Sequence, residues 1–204
     1  MPEEQTHPFA TRMTLLQRAK DPSDAEAWHD FVHYYKPFLL TVVGKRSVSS
    51  KDQEDLVQII LLKVWQALPG FHYDQEKAMF RTWLGTIIRN AVIDYFRSEK
   101  KHSKNKEFDE LCAEFEDTKS KDRVEAMIQQ EWERHVIKLA LDNIRPKFSE
   151  QAMIALEMTL AGKSIEEISA ALGMKENSAY KLRNRIKKSL MVEVQRLREE
   201  IEAS

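Results

Sequence analysis

The residues best suited to chemistry lie in two groups, and both suit nucleic acid. The first is a run of donors between positions 177 and 188: Asn177, Ser178, Tyr180, Lys181, Arg183, Asn184, Arg185, Lys187 and Lys188. Ala179, Leu182, Ile186 and Leu190 recur among them at helical spacing, so one face of a helix is apolar and the others carry the donors. The major groove of a duplex admits one helix. Its base edges are read by Arg, Lys, Asn and Ser, while flanking cations neutralise phosphates. Asn177, Ser178, Tyr180 and Lys181, near the helix start, are best placed for bases. Arg183, Arg185, Lys187 and Lys188 are better placed for phosphates or outer bases. The second group lies in Phe71-His72-Tyr73-Asp74-Gln75 and the following FRTWLGTIIRNAVIDYFR, where aromatic and basic residues mix in helical register. Such a mixture suits single-stranded or partly opened nucleic acid.

Other chemistry finds little support. There is no Gly-rich phosphate loop and no nucleophile elbow, and no carboxylate has a positioned base beside it. Catalysis is not expected, and neither is a cofactor. His29 and His33 are four apart on one helix, but no third metal ligand is evident, so no metal site is expected. The single cysteine, Cys112, excludes an intramolecular disulfide and suits a reducing, cytoplasmic setting. No apolar run approaches the roughly 18 residues needed to span a bilayer, and MPEEQTHPF does not read as a signal peptide. Net charge is −1, with 42% hydrophobic and 32% charged residues, so the balance alone neither favours nor opposes a nucleic-acid partner. The distribution is more telling: residues 81–106 are basic, 107–133 acidic and 181–198 basic again.

The elements that must position these groups read as helices throughout, with no convincing alternating strand. Helices are expected over about 11–20, 24–45 (kinked at Pro37), 50–68, 74–97, 124–143, 149–162, 164–172 and 176–201. Ser50-Lys51-Asp52-Gln53 and Ser164-Ile165-Glu166-Glu167 are both capping-box patterns, and Gly173 should end the helix that the second one opens. A short capped helix, a glycine turn and a longer basic helix have the proportions of a helix-turn-helix. The expected fold is all-α. Two small helical domains, 8–97 and 124–201, are joined by a charged linker at 98–123, and the C-terminal one contains the helix-turn-helix.

Asp55-Leu56-x-Gln58 with Leu61, Leu62 and Trp65, then Phe80-Arg81-Thr82-Trp83-Leu84, then Arg89-Asn90, Asp94 and Arg97, followed by the helix-turn-helix, resembles bacterial sigma factors of the two-domain extracytoplasmic-function group. The resemblance covers about Thr11 to Leu190. It implies a promoter-specificity subunit that binds core RNA polymerase, recognises −35 and −10 promoter elements and helps open DNA. Asp55 and Gln58, with Glu54, would dock on the β′ clamp helices. The loop carrying Phe71, His72, Tyr73 and Asp74 would take up an unstacked −10 base. Arg81, Arg89, Asn90 and Arg97 would contact DNA near the melted region, and Trp83 is expected in the core. The C-terminal helix-turn-helix would bind the −35 element. Expected partners are core polymerase (β′ clamp helices and β flap), promoter DNA and, as a further candidate, an anti-sigma factor, with no membrane. Asn177-Ser178-Ala179 departs from the family's usual Gly-Thr-Val, and Leu182-Arg183 from its usual arginine-then-apolar pair, so base preference does not carry over. Glu54 and Asp55 also lie in the first turn of their helix, where acids favour the helix dipole. The alternative functions are a stand-alone helix-turn-helix regulator with a helical sensing domain, and a non-DNA interaction module.

Overall fold

A computed structural model describes residues 14–71, 80–102 and 118–201. Among the described residues the structure is helical and contains no strand. The chain divides into two compact units, Met1–Glu125 with Glu200–Ser204, and Ala126–Glu199.

The first unit is built from α1 (Leu15–Ala19), α2 (Ala25–Gly44), α3 (Gln53–Ala67) and α4 (Phe80–His102). Helix α1 opens with a capping box in which the Thr14 side chain and that of Gln17 serve each other's backbone N–H groups. Helix α2 is capped by Asp24, whose carboxylate accepts from the Ala27 N–H at 2.8 Å and from Arg18 at 3.1 Å. It runs unbroken past Pro37 and buries Phe31, Tyr35, Phe38, Leu39 and Val42. An aromatic cluster ties the unit together. Phe31 and Tyr35 stack at 4.2 Å, Phe80 meets both edge-on, and Phe71 and Trp83 close over Phe80 at 5.7 and 5.3 Å. Pairs of this geometry each add about 0.5–1.5 kcal/mol beyond their area burial.

The capping box expected at Ser50–Gln53 does not form. Helix α3 starts at Gln53 behind Asp52, which makes no side-chain cap. The Gln53 amide donates to the Val48 carbonyl at 3.0 Å, and the Asp52 carboxylate accepts from the Tyr95 hydroxyl of α4 at 2.9 Å. Gln53 thus bonds back to the chain ahead of α3, and Asp52 bonds to α4. Two ion pairs add to the helix contacts, Lys36–Glu54 at 2.8 Å between α2 and α3, and Lys63–Asp94 at 2.9 Å between α3 and α4.

Helix α4 continues to His102 instead of ending near Arg97. Helix α5 (Thr118–Ile144) begins six residues before the expected Val124. Helix therefore enters the expected linker from both sides, and residues 103–117 lie outside the described residues.

The second unit comprises α5 from Ala126, α6 (Glu150–Leu160), α7 (Ile165–Leu172) and α8 (Glu176–Ile201) up to Glu199. Ser149 caps α6. The Ser164–Glu167 capping box opens α7 as expected, and Gly173 ends it in the left-handed region at φ 61°. Ala155, Ile168 and Ala179 form a buried centre, with Met158, Ile165, Leu172, Met174 and Leu182 packed around it. This is the packing of α7 against α8 that the apolar spacing predicts. Glu193 of α8 is buried and accepts from Asn143 of α5 at 2.8 Å and from Arg196 at 2.8 Å. These bonds, that to Arg196 first, hold its carboxyl below the usual glutamate range.

Candidate docking face and nucleic-acid interface

Helix α3 buries Leu56, Val57, Ile60, Leu61 and Val64 on one side. Its other side carries Asp55, Gln58, Ile59, Leu62, Trp65 and Gln66, all exposed and spaced to form one stripe. Ile59 is 48% exposed, Leu62 53% and Trp65 42%. The sequence pattern suggests a helix buried on most sides with a few polar contacts. The structure instead leaves large apolar side chains in the same row as Asp55 and Gln58. Ile59, Leu62 and Trp65 are the residues that sequence reasoning leaves unassigned, and their signal is a 3–4 spacing shared with the two polar positions. Glu54 is engaged differently, through its ion pair with Lys36.

Of the expected −10 residues, Phe71 is only 8% exposed. Its ring lies against Phe80 and Trp83, with the Lys20 ammonium 5.4 Å from its centroid. Among the described residues, then, the Phe71 ring is a packing contact of the first unit. His72, Tyr73 and Asp74 lie outside the described residues, but Phe71 and Phe80, on either side of them, pack on each other. On α4, Asn90 and Arg97 are exposed and seven residues apart, so they share a face. Arg81 and Arg89 are half-buried. At about 100° per residue, Arg81 points roughly opposite to Asn90. The four α4 positions therefore do not make one surface. Trp83 is half-buried, tilted over Phe71 and Phe80, on the side of the core as expected.

On α8, Asn177, Ser178, Tyr180, Lys181, Asn184, Arg185, Lys187 and Lys188 are exposed, and Arg183 is half-buried. Ala179, Ile186 and Leu190 are buried beneath them. The centre of the outward face is the row Asn177, Lys181, Asn184 and Lys188. Asn184 and Lys188 thus stand with the expected base readers, while Ser178 and Tyr180 lie to either side. The Arg183 guanidinium lies over the Tyr180 ring at 5.2 Å and that of Arg185 over the Phe148 ring at 5.4 Å. Phe148 also lines an open cavity of ≈ 490 Å³ with Arg145, Glu150, Met153, Ile154 and Glu157.

Among the described residues no group of three or more His, Cys, Asp or Glu is placed to hold a metal ion, and no helix is long and apolar enough to cross a membrane.

The first unit thus carries a partly apolar exposed stripe on α3, and the second an exposed basic helix, α8. Residues 31–102, which span most of α2 and all of α3 and α4, match the family described as Sigma-70 region 2. RNA polymerase sigma factor SigI7 of Acetivibrio thermocellus is 35% identical over 96 residues, 45% of this chain and 39% of that protein. The ECF RNA polymerase sigma factor RpoE of Cereibacter sphaeroides is 26% identical over 88 residues, 43% of this chain and 48% of that protein. The matched part of this chain thus spans less than half the length of each relative. Residues 31–102 thus resemble sigma-70 region 2, and the relatives similar to this part of the chain are bacterial sigma factors, one of them of the extracytoplasmic-function type.

Proposed function

We propose that this chain is a promoter-specificity subunit in the cytoplasm. In this reading the α3 stripe docks on the β′ clamp helices of core RNA polymerase. Residues 72–79 and the Asn90–Arg97 face of α4 engage and open the −10 element. Helices α7 and α8 act as a helix-turn-helix on the −35 element, with the second unit seated near the β flap.

The observation that carries the reading is the α3 stripe. Leu62 and Trp65 keep about half their surface in water, beside Asp55 and Gln58, within the stretch that matches Sigma-70 region 2. Exposed apolar residues in a contiguous row with polar neighbours are the anatomy of a protein interface. Tryptophans in such rows contribute about 2 kcal/mol or more to binding when they become fully desolvated.

Co-purification with core polymerase tests it. Leu62→Glu places a charge on the stripe without touching the buried side of α3, so its circular dichroism and thermal unfolding should match those of the parent chain while polymerase capture is lost. Undiminished capture by a folded Leu62→Glu chain would remove α3 as the dock.

A further inference from the structure

We propose that Arg183 and Arg185 form a pair of phosphate clamps on the two edges of α8, and that the rings of Tyr180 and Phe148 are the positioning residues that hold them there. The inference rests on the reading of α8 as a duplex-binding helix and deepens it.

Three observations carry it. The first is placement. With the row Asn177, Lys181, Asn184 and Lys188 at the centre of the outward face, rotation of about 100° per residue puts Arg185 on one flank and Arg183 further round the other side, from where its guanidinium reaches the Tyr180 ring on that flank. The second is contact. Each guanidinium lies over an aromatic ring, Arg183 on Tyr180 at 5.2 Å and Arg185 on Phe148 at 5.4 Å, both within the roughly 6 Å at which a cation is attracted to a ring face. The third is independence of the two supports. Tyr180 lies one turn back on α8 itself, whereas Phe148 comes from the 3-10 turn Arg145–Lys147 and its C-cap, just ahead of α6. Two flanks of one helix thus use unrelated segments for the same purpose.

The physical consequence follows from groove geometry. A helix in the major groove has a phosphate backbone on each side. Donors at the centre of the outward face meet base edges, and donors on its flanks meet the two walls. An arginine has many rotamers, and ordering it on binding costs entropy. A guanidinium already resting on a ring has lost much of that freedom, so less is lost when it meets phosphate. Arg183 and Arg185 would then supply affinity and orientation without sequence information, and the central row would supply base preference.

The test uses the full chain and a mixed-sequence DNA duplex of about 20 base pairs, titrated over a range of salt. Arg183→Ala and Arg185→Ala should each weaken binding and lower the slope of log affinity against log salt by about 1. Tyr180→Leu and Phe148→Leu keep the charges and the apolar bulk but remove the ring faces. They should weaken binding roughly two- to fivefold with the slope unchanged. Phe148→Tyr, which keeps the ring, should bind like the parent. Thermal unfolding of each variant separates a lost ring contact from a lost fold. If the leucine variants bind like the parent while the alanine variants lose slope, the arginines contact phosphate without aromatic support and the inference is overturned. If the parent does not bind the duplex, or the alanine variants match it in affinity and slope, the duplex-binding reading of α8 fails and the clamps fail with it.

Discussion

At Phe71 the residue type admits two roles, an exposed platform for a base or a buried anchor, and its neighbours in sequence favour the first. Its ring packs against Phe80 and Trp83 of α4, which supports the second. Phe71→Ala should therefore behave as a core deletion, destabilising the first unit by about 3–5 kcal/mol in chemical denaturation. A Phe71→Ala chain with parent stability and a selective loss of DNA opening would restore the base-reading role. Gln58 is the opposite case. It is exposed on α3 beside Leu62, so Gln58→Ala should leave unfolding unchanged and weaken polymerase capture. The exposure of Ile59, Leu62 and Trp65 was not legible from residue type, because an apolar side chain looks the same in a core and in an interface. Only the side of the helix that the rest of the unit covers distinguishes them.

Elements show where local rules suffice and where they do not. The Ser164 box and Gly173 were legible because every partner lies within a few residues. Ser164 accepts from the Glu167 N–H, and the Glu167 carboxylate accepts from the Ser164 N–H at 2.8 Å. Ser164→Ala should destabilise α7 by about 1 kcal/mol, measured as a lowered unfolding midpoint of the second unit. The Lys163 ammonium first, and then the Ser164 N–H, hold the Glu167 carboxyl below the usual glutamate value. Its share of stability is therefore present above that value and is lost as pH falls through the folded pKa. The Ser50 pattern forms no box, and the Gln53 amide bonds to the Val48 carbonyl. The neighbouring Asp52 accepts from the Tyr95 hydroxyl, which links the start of α3 to α4. Burial first, and then the Asp52 carboxylate, push the Tyr95 hydroxyl up to about 12. A raised tyrosine pKa means that the folded chain holds the proton longer than the unfolded one. The contribution is thus complete below the ordinary value near 10 and disappears as pH rises through about 12. Asp52→Asn should lower the Tyr95 pKa, read by ultraviolet phenolate titration, but not to its ordinary value, since burial persists. An unchanged titration would show that the carboxylate has no hold on the hydroxyl.

For the whole molecule, the all-α architecture and the order of helices were legible because helical periodicity and caps are written locally. The helix ends around the acidic stretch were not, because Ser98–His102 and Thr118–Arg123 carry few apolar residues to mark them as helix. The proposed function needs the α3 stripe, the α4 face and α8 to act in one event, since docking, opening and −35 binding separately would not start a transcript. Run-off transcription measures that event: core RNA polymerase, this chain and genomic fragments, with the Leu62→Glu chain as control. The account predicts discrete promoter-dependent transcripts with the parent chain and none with Leu62→Glu. A folded parent chain, free of bound inhibitor, that adds no transcript to core polymerase alone would contradict it.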